Sequence, residues 1–262
     1  MRRPLCLLLL PMALFAGNAQ ADMTVRGGEC KVESDYDLSL TERSVILTRQ
    51  SGTPRAVVLR EGRLFVDEQW VSLGKADSER ILTFERGARS AMPEAQGIGR
   101  EAADIAFTAL GGVAEGLSSD PVSAKAKLDK ARVQLDARLA RSVTTTRFDG
   151  RELGEGIGDA VKEMVPMLVG DIVGGTIRAA LSGDAARFQR LDNLDARIEA
   201  QIKPRAERLE QRADRFCQRL VELDRIDASL EYRLPGGQPL NLLDATYLPK
   251  AGRTVAAQAA AH

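Results

Sequence analysis

The chain has 262 residues, 44% hydrophobic, 28% charged and only 4% aromatic, with 37 basic side chains against 37 acidic ones. Without a basic excess it lacks the field that draws a protein onto nucleic acid, and its composition excludes a collagen-like, low-complexity or wholly disordered chain. The length suffices for one large hydrophobic core or two small ones.

Residues 1–21 read as a cleaved signal peptide. Arg2 and Arg3 form a positive start, Leu5 to Phe15 an apolar run, and Ala19-Gln20-Ala21 a small-x-small cleavage site that makes Asp22 the first mature residue. The apolar run falls short of the roughly 20 residues a membrane-spanning helix needs. Val161 to Leu181, the most apolar later stretch, contains Lys162, Glu163, Asp171 and Arg178, so no transmembrane span is expected. Cleavage leaves two cysteines, Cys30 and Cys217, and an even count in an oxidising compartment predicts one disulfide. The absence of Cys-x-x-Cys spacing argues for a structural bridge rather than a redox-active pair.

Residues 22–74 predict an N-terminal β region. Ser44 to Arg49, Ala56 to Arg60, Leu64 to Asp67 and Trp70 to Leu73 alternate or are β-branched, and short turns separate them, as in an antiparallel meander. Trp70 is expected to pack this sheet against a helix. Residues 75–229 then change to helical periodicity. Asp77 or Ser78 caps a first helix that stops near Pro93, and a second, rich in Ala and Gly, runs from about Gln96 to Leu117. Asp120-Pro121 is a restart signal, with a capping Asp and Pro at the first helical position. Leu128, Ala131, Leu135, Leu139 and Val143 form one apolar stripe on that third helix.

A polar loop over 144–154 leads to a helix expected at 155–181, apolar over much of its circumference and interspersed with glycines. It fits either burial in a protomer or oligomer, or contact with lipid or an unfolded client. From Asp184 to Ser229 a long charged helix is predicted, divided or bent at Pro204. Ile198, Ile202, Leu209, Phe216, Leu220 and Leu223 lie on its heptad-like seam, a candidate interaction surface. Residues 230–250 read as a hairpin built from Leu230–Leu234 and Leu240–Leu243, and 251–262 as a flexible tail. The fold class is α+β: a small antiparallel meander followed by a helical body.

The sequence presents no catalytic constellation. The single histidine is His262, the last residue, so a Ser–His–Asp or Cys–His apparatus lacks its base, and zinc lacks ligands. Gly170-Asp-Ile-Val-Gly174-Gly175 is not a phosphate-binding loop, and no twelve-residue calcium loop is present. Asp192, Asp195 and Glu199 share one helical face and read as a solvated charge run. No catalytic, cofactor-binding or metal-binding residue is expected, and no cofactor.

The order of these segments resembles a known family. Glu29-Cys30-Lys31-Val32, the meander Val57 to Asp67, the helix ending Ala88-Arg-Ser-Ala-Met-Pro93, the glycine-rich apolar helix and the Phe216-Cys217-Gln-Arg helix are similar to the YggN-like family of exported proteobacterial proteins. The resemblance covers about Glu29 to Ser229. It implies a periplasmic location in a Gram-negative cell and assigns no activity or site. The expected function is therefore a non-catalytic envelope interaction or assembly role, through a protein partner or self-association. The alternative is a carrier of lipid or a hydrophobic client using helix 155–181; a hydrolase with paired carboxylates ranks third.

Overall fold

The computed structural model describes residues 20–25, 28–118, 120–150, 153–154, 158, 170 and 194–249. The expected signal sequence before Gln20, the helix at 155–181, Asp192 and the tail at 251–262 fall outside these residues, apart from isolated positions. In chain order come strands β1 (Gln20–Val25), β2 (Gly28–Glu33), β3 (Asp37–Leu40), β4 (Val45–Thr48), β5 (Ala56–Arg60), β6 (Arg63–Val66) and β7 (Gln69–Val71). Helices α1 (Lys75–Leu117) and α2 (Pro121–Ser142), strand β8 (Phe148–Asp149), helix α3 (Leu194–Ala228) and strand β9 (Asp244–Pro249) follow.

Strands β3 to β7 form the expected antiparallel meander, with β8 added beside β3. The period-two alternation sets its register: Val45 pairs with Leu59, Leu59 with Leu64, and Val57 with both Leu47 and Val66. All six are buried on one face, against Ile81, Phe84, Ala88, Ala91 and Met92 of α1. The β5–β6 connection is a two-residue turn with Glu61 and Gly62 both at positive φ, 52° and 75°, the twist that suits a hairpin. At Gly62 a β-carbon would stand 2.9 Å from the Ser78 carbonyl, so glycine is required there on two counts. Fold class is α+β, strands first and helices after.

The helical body departs from the expectation in one large respect. Pro93 does not end a helix; α1 runs unbroken for 43 residues. Pro93 and likewise Pro204 of α3 lie on exposed positions, where the carbonyl each leaves unbonded can meet water. Neither Asp77 nor Ser78 caps α1, which starts from Gly74 without a side-chain cap. Asp120 does cap α2, accepting the Ser123 amide at 3.0 Å, with Pro121 opening the helix.

Helix α3 runs antiparallel to α1, and opposite charges meet along the joint. Glu94 pairs with Arg219, Glu101 with Arg212, Asp104 with Arg205 and Glu115 with Arg197. Glu94, Glu101, Thr108 and Glu115 are spaced by sevens, and Thr108 accepts from Arg205, so the heptad spacing of α3 meets an equal spacing on α1. Helix α2 lies antiparallel on α1 as well, through Arg100–Asp136 and through Gln96, which donates to the Leu139 and Val143 carbonyls. The three helices form a bundle that carries a second, smaller core of Phe107, Ala114, Ala124 and Leu128.

The disulfide is present: Cys30 of β2 and Cys217 of α3 are bonded, with Cα atoms 6.0 Å apart, and both are buried. It fastens the small sheet β1-β2-β9 to the bundle. The expected C-terminal hairpin is present only as a short turn: Arg233 bridges Pro239, the Leu234 amide donates to the Gln238 carbonyl and the Gly237 amide to the Leu234 carbonyl, while Leu230, Leu240 and Leu242 enter the main core. The strand comes later, as β9, and pairs with β2 rather than locally, Tyr247 lying opposite Cys30.

Candidate functional site

The buried carboxylates show where charge has been taken out of water, and three of them, Asp77, Glu85 and Asp227, are occupied in holding backbone. Asp77 accepts from the Glu231 and Tyr232 amides and from Arg80. Burial pushes its pKa up, but those hydrogen bonds outweigh burial and leave it lowered. Glu85 accepts the Glu61 amide at 2.8 Å, which fixes the β5–β6 turn, and pairs with Arg89. Asp227, 2% exposed, accepts the Leu242 amide at 2.6 Å and the Leu243 amide at 3.3 Å, while its Oδ1 has no hydrogen-bond partner. Burial drives its pKa up to about 6 against the pull of those amides, with Asp224 and Asp244 adding to the rise. Burial also raises the neighbouring Asp224.

A small polar hollow lies beside this region, lined by Glu33, Ser34, Asp35 and residues 241–244. Among the described residues, no group of three or more His, Cys, Asp or Glu is placed to hold a metal ion. Of the acidic run singled out in the sequence, Glu199 lies exposed on α3.

The heptad seam expected to form an interaction surface is turned inward. Leu223 is buried against Gly87, and Phe216 and Leu220 pack on the main core. Ile198 lies over Gly112, and Ile202 and Leu209 are half-buried. The seam is taken up by α1, whose glycines and small side chains let α3 approach closely; sequence periodicity marked the stripe but could not say whose surface it meets.

Two surface features were missed. The first is the outer face of the meander. Because Leu64 and Val66 point inward, Phe65 must point outward, and cross-strand pairing extends it into a row: Ile46 opposite Val58, Val58 opposite Phe65, Phe65 opposite Trp70. Trp70 is 53% exposed, so it does not join the sheet to a helix as expected. It meets Phe65 edge-on at 5.0 Å between ring centres, and the Arg63 guanidinium lies 5.3 Å from its ring. Arg60 and Arg63 face each other beside the row. Helix α1 covers the opposite face. Strict alternation through β5 and β6 was the signal that would have found it.

The second is a cleft of about 630 Å³ at the far end of the bundle, where α1, α2 and the start of α3 converge. Phe107, Gly111, Gly112, Leu128, Leu194 and Ile198 make its apolar lining. Lys125, Arg132 and Arg197 stand around it with Glu115 and Asp129. The adjacent Gly111 and Gly112 were its only trace in the sequence.

Residues 30–243 match the family model described as "Protein of unknown function (DUF2884)". The chain belongs to this family. No curated protein and no solved structure matches it. The DUF2884 span opens on Cys30 and closes at Leu243, one residue before β9. It therefore contains both disulfide cysteines, the whole meander and all the residues of the cleft. Among the described residues of this DUF2884 member, no helix is long and apolar enough to cross a membrane.

Proposed function

We propose that this chain is an exported, non-catalytic protein of the Gram-negative periplasm, YggN-like, that docks on another envelope protein through the outer face of its meander. The observation that carries the reading is the apolar row Ile46–Val58–Phe65–Trp70, ending in a tryptophan more than half exposed. Contiguous apolar surface rimmed by polar groups marks interaction sites, and tryptophan and arginine are the residues that anchor them. Arg60 and Arg63 beside the row favour a partner with acidic groups at its edge.

Three further observations support the reading. The N-terminal charge, apolar run and cleavage pattern suit export, and the Cys30–Cys217 bond suits an oxidising compartment. The buried carboxylates Asp77, Glu85 and Asp227 are engaged with backbone amides, which gives each a structural role. Of the seam residues, Ile198 and Leu223 lie against Gly112 and Gly87 of α1, which favours the sheet as the docking face. The carrier reading built on helix 155–181 concerns residues outside those described.

The test is site-specific photocrosslinking in intact cells producing the full-length protein. A photoreactive residue at position 70 should give a discrete adduct in the periplasmic fraction, and one at position 208, on the exposed side of α3, should not. Phe65→Asp should abolish the adduct at 70 without unfolding the protein. Equal labelling from both positions, or an adduct insensitive to Phe65→Asp, would refute the docking face.

A further inference from the structure

The cleft at the end of the bundle is a site of a different kind from the sheet face. It is a concavity, within the size range of roughly 300–1,000 Å³ that suits small ligands. Taking the share of a liquid water, about 30 Å³, as the measure of a methylene-sized group, it has room for about 20 such groups. That is enough for one acyl chain and too little for two.

Its walls are chemically divided. Phe107, Leu128, Leu194 and Ile198 offer apolar side chains, and the floor includes bare backbone at Gly111. A β-carbon on Gly111 would meet nothing within 4 Å, whereas one on the adjacent Gly112 would stand 2.7 Å from Ile198. Gly112 is thus needed for helix packing, and Gly111 instead opens a volume. At the mouth, Val122 is 81% exposed, an apolar side chain with no cover where a ligand's tail would supply one.

The charges are not balanced. Glu115 answers Arg197 at 3.3 Å and Asp129 answers Lys125 at 2.6 Å. Among the described residues Arg132 is answered only by Asp104, and that same carboxylate also binds Arg205. Among these residues one anion serves two guanidiniums, which leaves a unit of positive charge at the cleft, on a fork suited to a carboxylate or phosphate.

We infer that this cleft binds a single acyl chain bearing an anionic head, with the tail along Phe107, Gly111 and Leu128 and the head at Arg132. A free fatty acid and a lysophospholipid share that chemistry. The assignment uses none of the residues of the docking face and stands or falls separately from it.

The full mature protein, stripped of bound lipid, would be titrated by calorimetry with palmitate and with lysophosphatidylglycerol, with palmityl alcohol as the uncharged control. One anionic ligand should bind saturably at one molecule per chain, and the tighter of the two names the source. Gly111→Leu fills the cleft from its floor and replaces a helical glycine by a better helix former, so the protein stays folded. It should weaken binding at least about tenfold. Arg132→Gln should weaken the anionic ligands while leaving palmityl alcohol unchanged. Absence of saturable binding by both anionic ligands, or affinity unaltered in a folded Gly111→Leu protein, would overturn the assignment. So would equal loss of all three ligands in Arg132→Gln.

Discussion

A β-carbon on Gly112 would stand 2.7 Å from Cγ1 of Ile198 and 2.9 Å from its Cδ1, so α3 rests directly on the backbone of α1 at that point. Gly87 plays the same part beneath Leu223, some seven turns earlier along α1. Between the two glycines, the acidic side chains of α1 meet the arginines of α3. Close approach thus comes from the glycines, and alignment from the ion pairs. The exposed pairs contribute little each, because water screens them and their side chains must be ordered.

Gly112→Val should therefore destabilise the protein by about 1–3 kcal/mol through overpacking. Denaturant unfolding would measure it. Adding Ile198→Ala to Gly112→Val should recover part of the loss, a coupling that separate effects of the two substitutions would not produce. Gly111→Ala, one residue away, should instead gain up to about 1 kcal/mol from helix propensity.

Removing the disulfide is a second case. Cys30 and Cys217 are separated by 187 residues and both are buried. Cross-linking so long a loop restricts the unfolded chain, and loss of such a bridge costs about 2–5 kcal/mol. Cys30→Ser with Cys217→Ser should lower the free energy of unfolding by that much, measured by denaturant titration. The first region to open should be β1-β2-β9, read as faster amide exchange at 28–33 and 244–248 than in the meander.

The proposed export gives the third prediction. Protein recovered from the periplasm should begin at Asp22 by intact mass, as the Ala19-Gln20-Ala21 pattern requires. Strand β1 would then lose Gln20 and Ala21 and keep the pairings from Asp22–Lys31 to Val25–Gly28. Recovery of the protein in the cytoplasmic fraction with Arg2 and Arg3 retained would contradict both export and the periplasmic role.

What could be read from the sequence was local. The alternation in β4 to β6, the Asp120-Pro121 start of α2 and the heptad of α3 are patterns within one element, and each corresponds to the element found. What escaped was set by partners far away in the chain. Asp244 to Pro249 has little strand character by itself and becomes β9 because β2, two hundred residues earlier, offers an edge. Pro93 looked like a stop because its local effect is to break a helix; packing of Ala88, Ala91 and Met92 on the sheet offsets that cost of about 3 kcal/mol. The cleft depends on three helices meeting, and only a glycine pair hinted at it.

Asp227 yields the last prediction, and its sign follows from burial. Its folded pKa of about 6 lies above the ordinary aspartate value of 3.8. The folded protein therefore holds a proton that the unfolded chain has already released between those two values. The contribution of this group is fully favourable below about pH 4 and is lost as pH rises through about 6. The swing is about 3 kcal/mol at most, at 1.36 kcal/mol per unit. Asp227→Asn keeps an oxygen for the Leu242 amide but cannot ionise. Its stability relative to wild type should rise between pH 4.5 and pH 7.5, as measured by urea unfolding at both values. A constant difference across that range would place the ionisation of Asp227 below it. The backbone at 242–243, which Asp227 holds, is where the wild-type protein should loosen first as the carboxylate ionises.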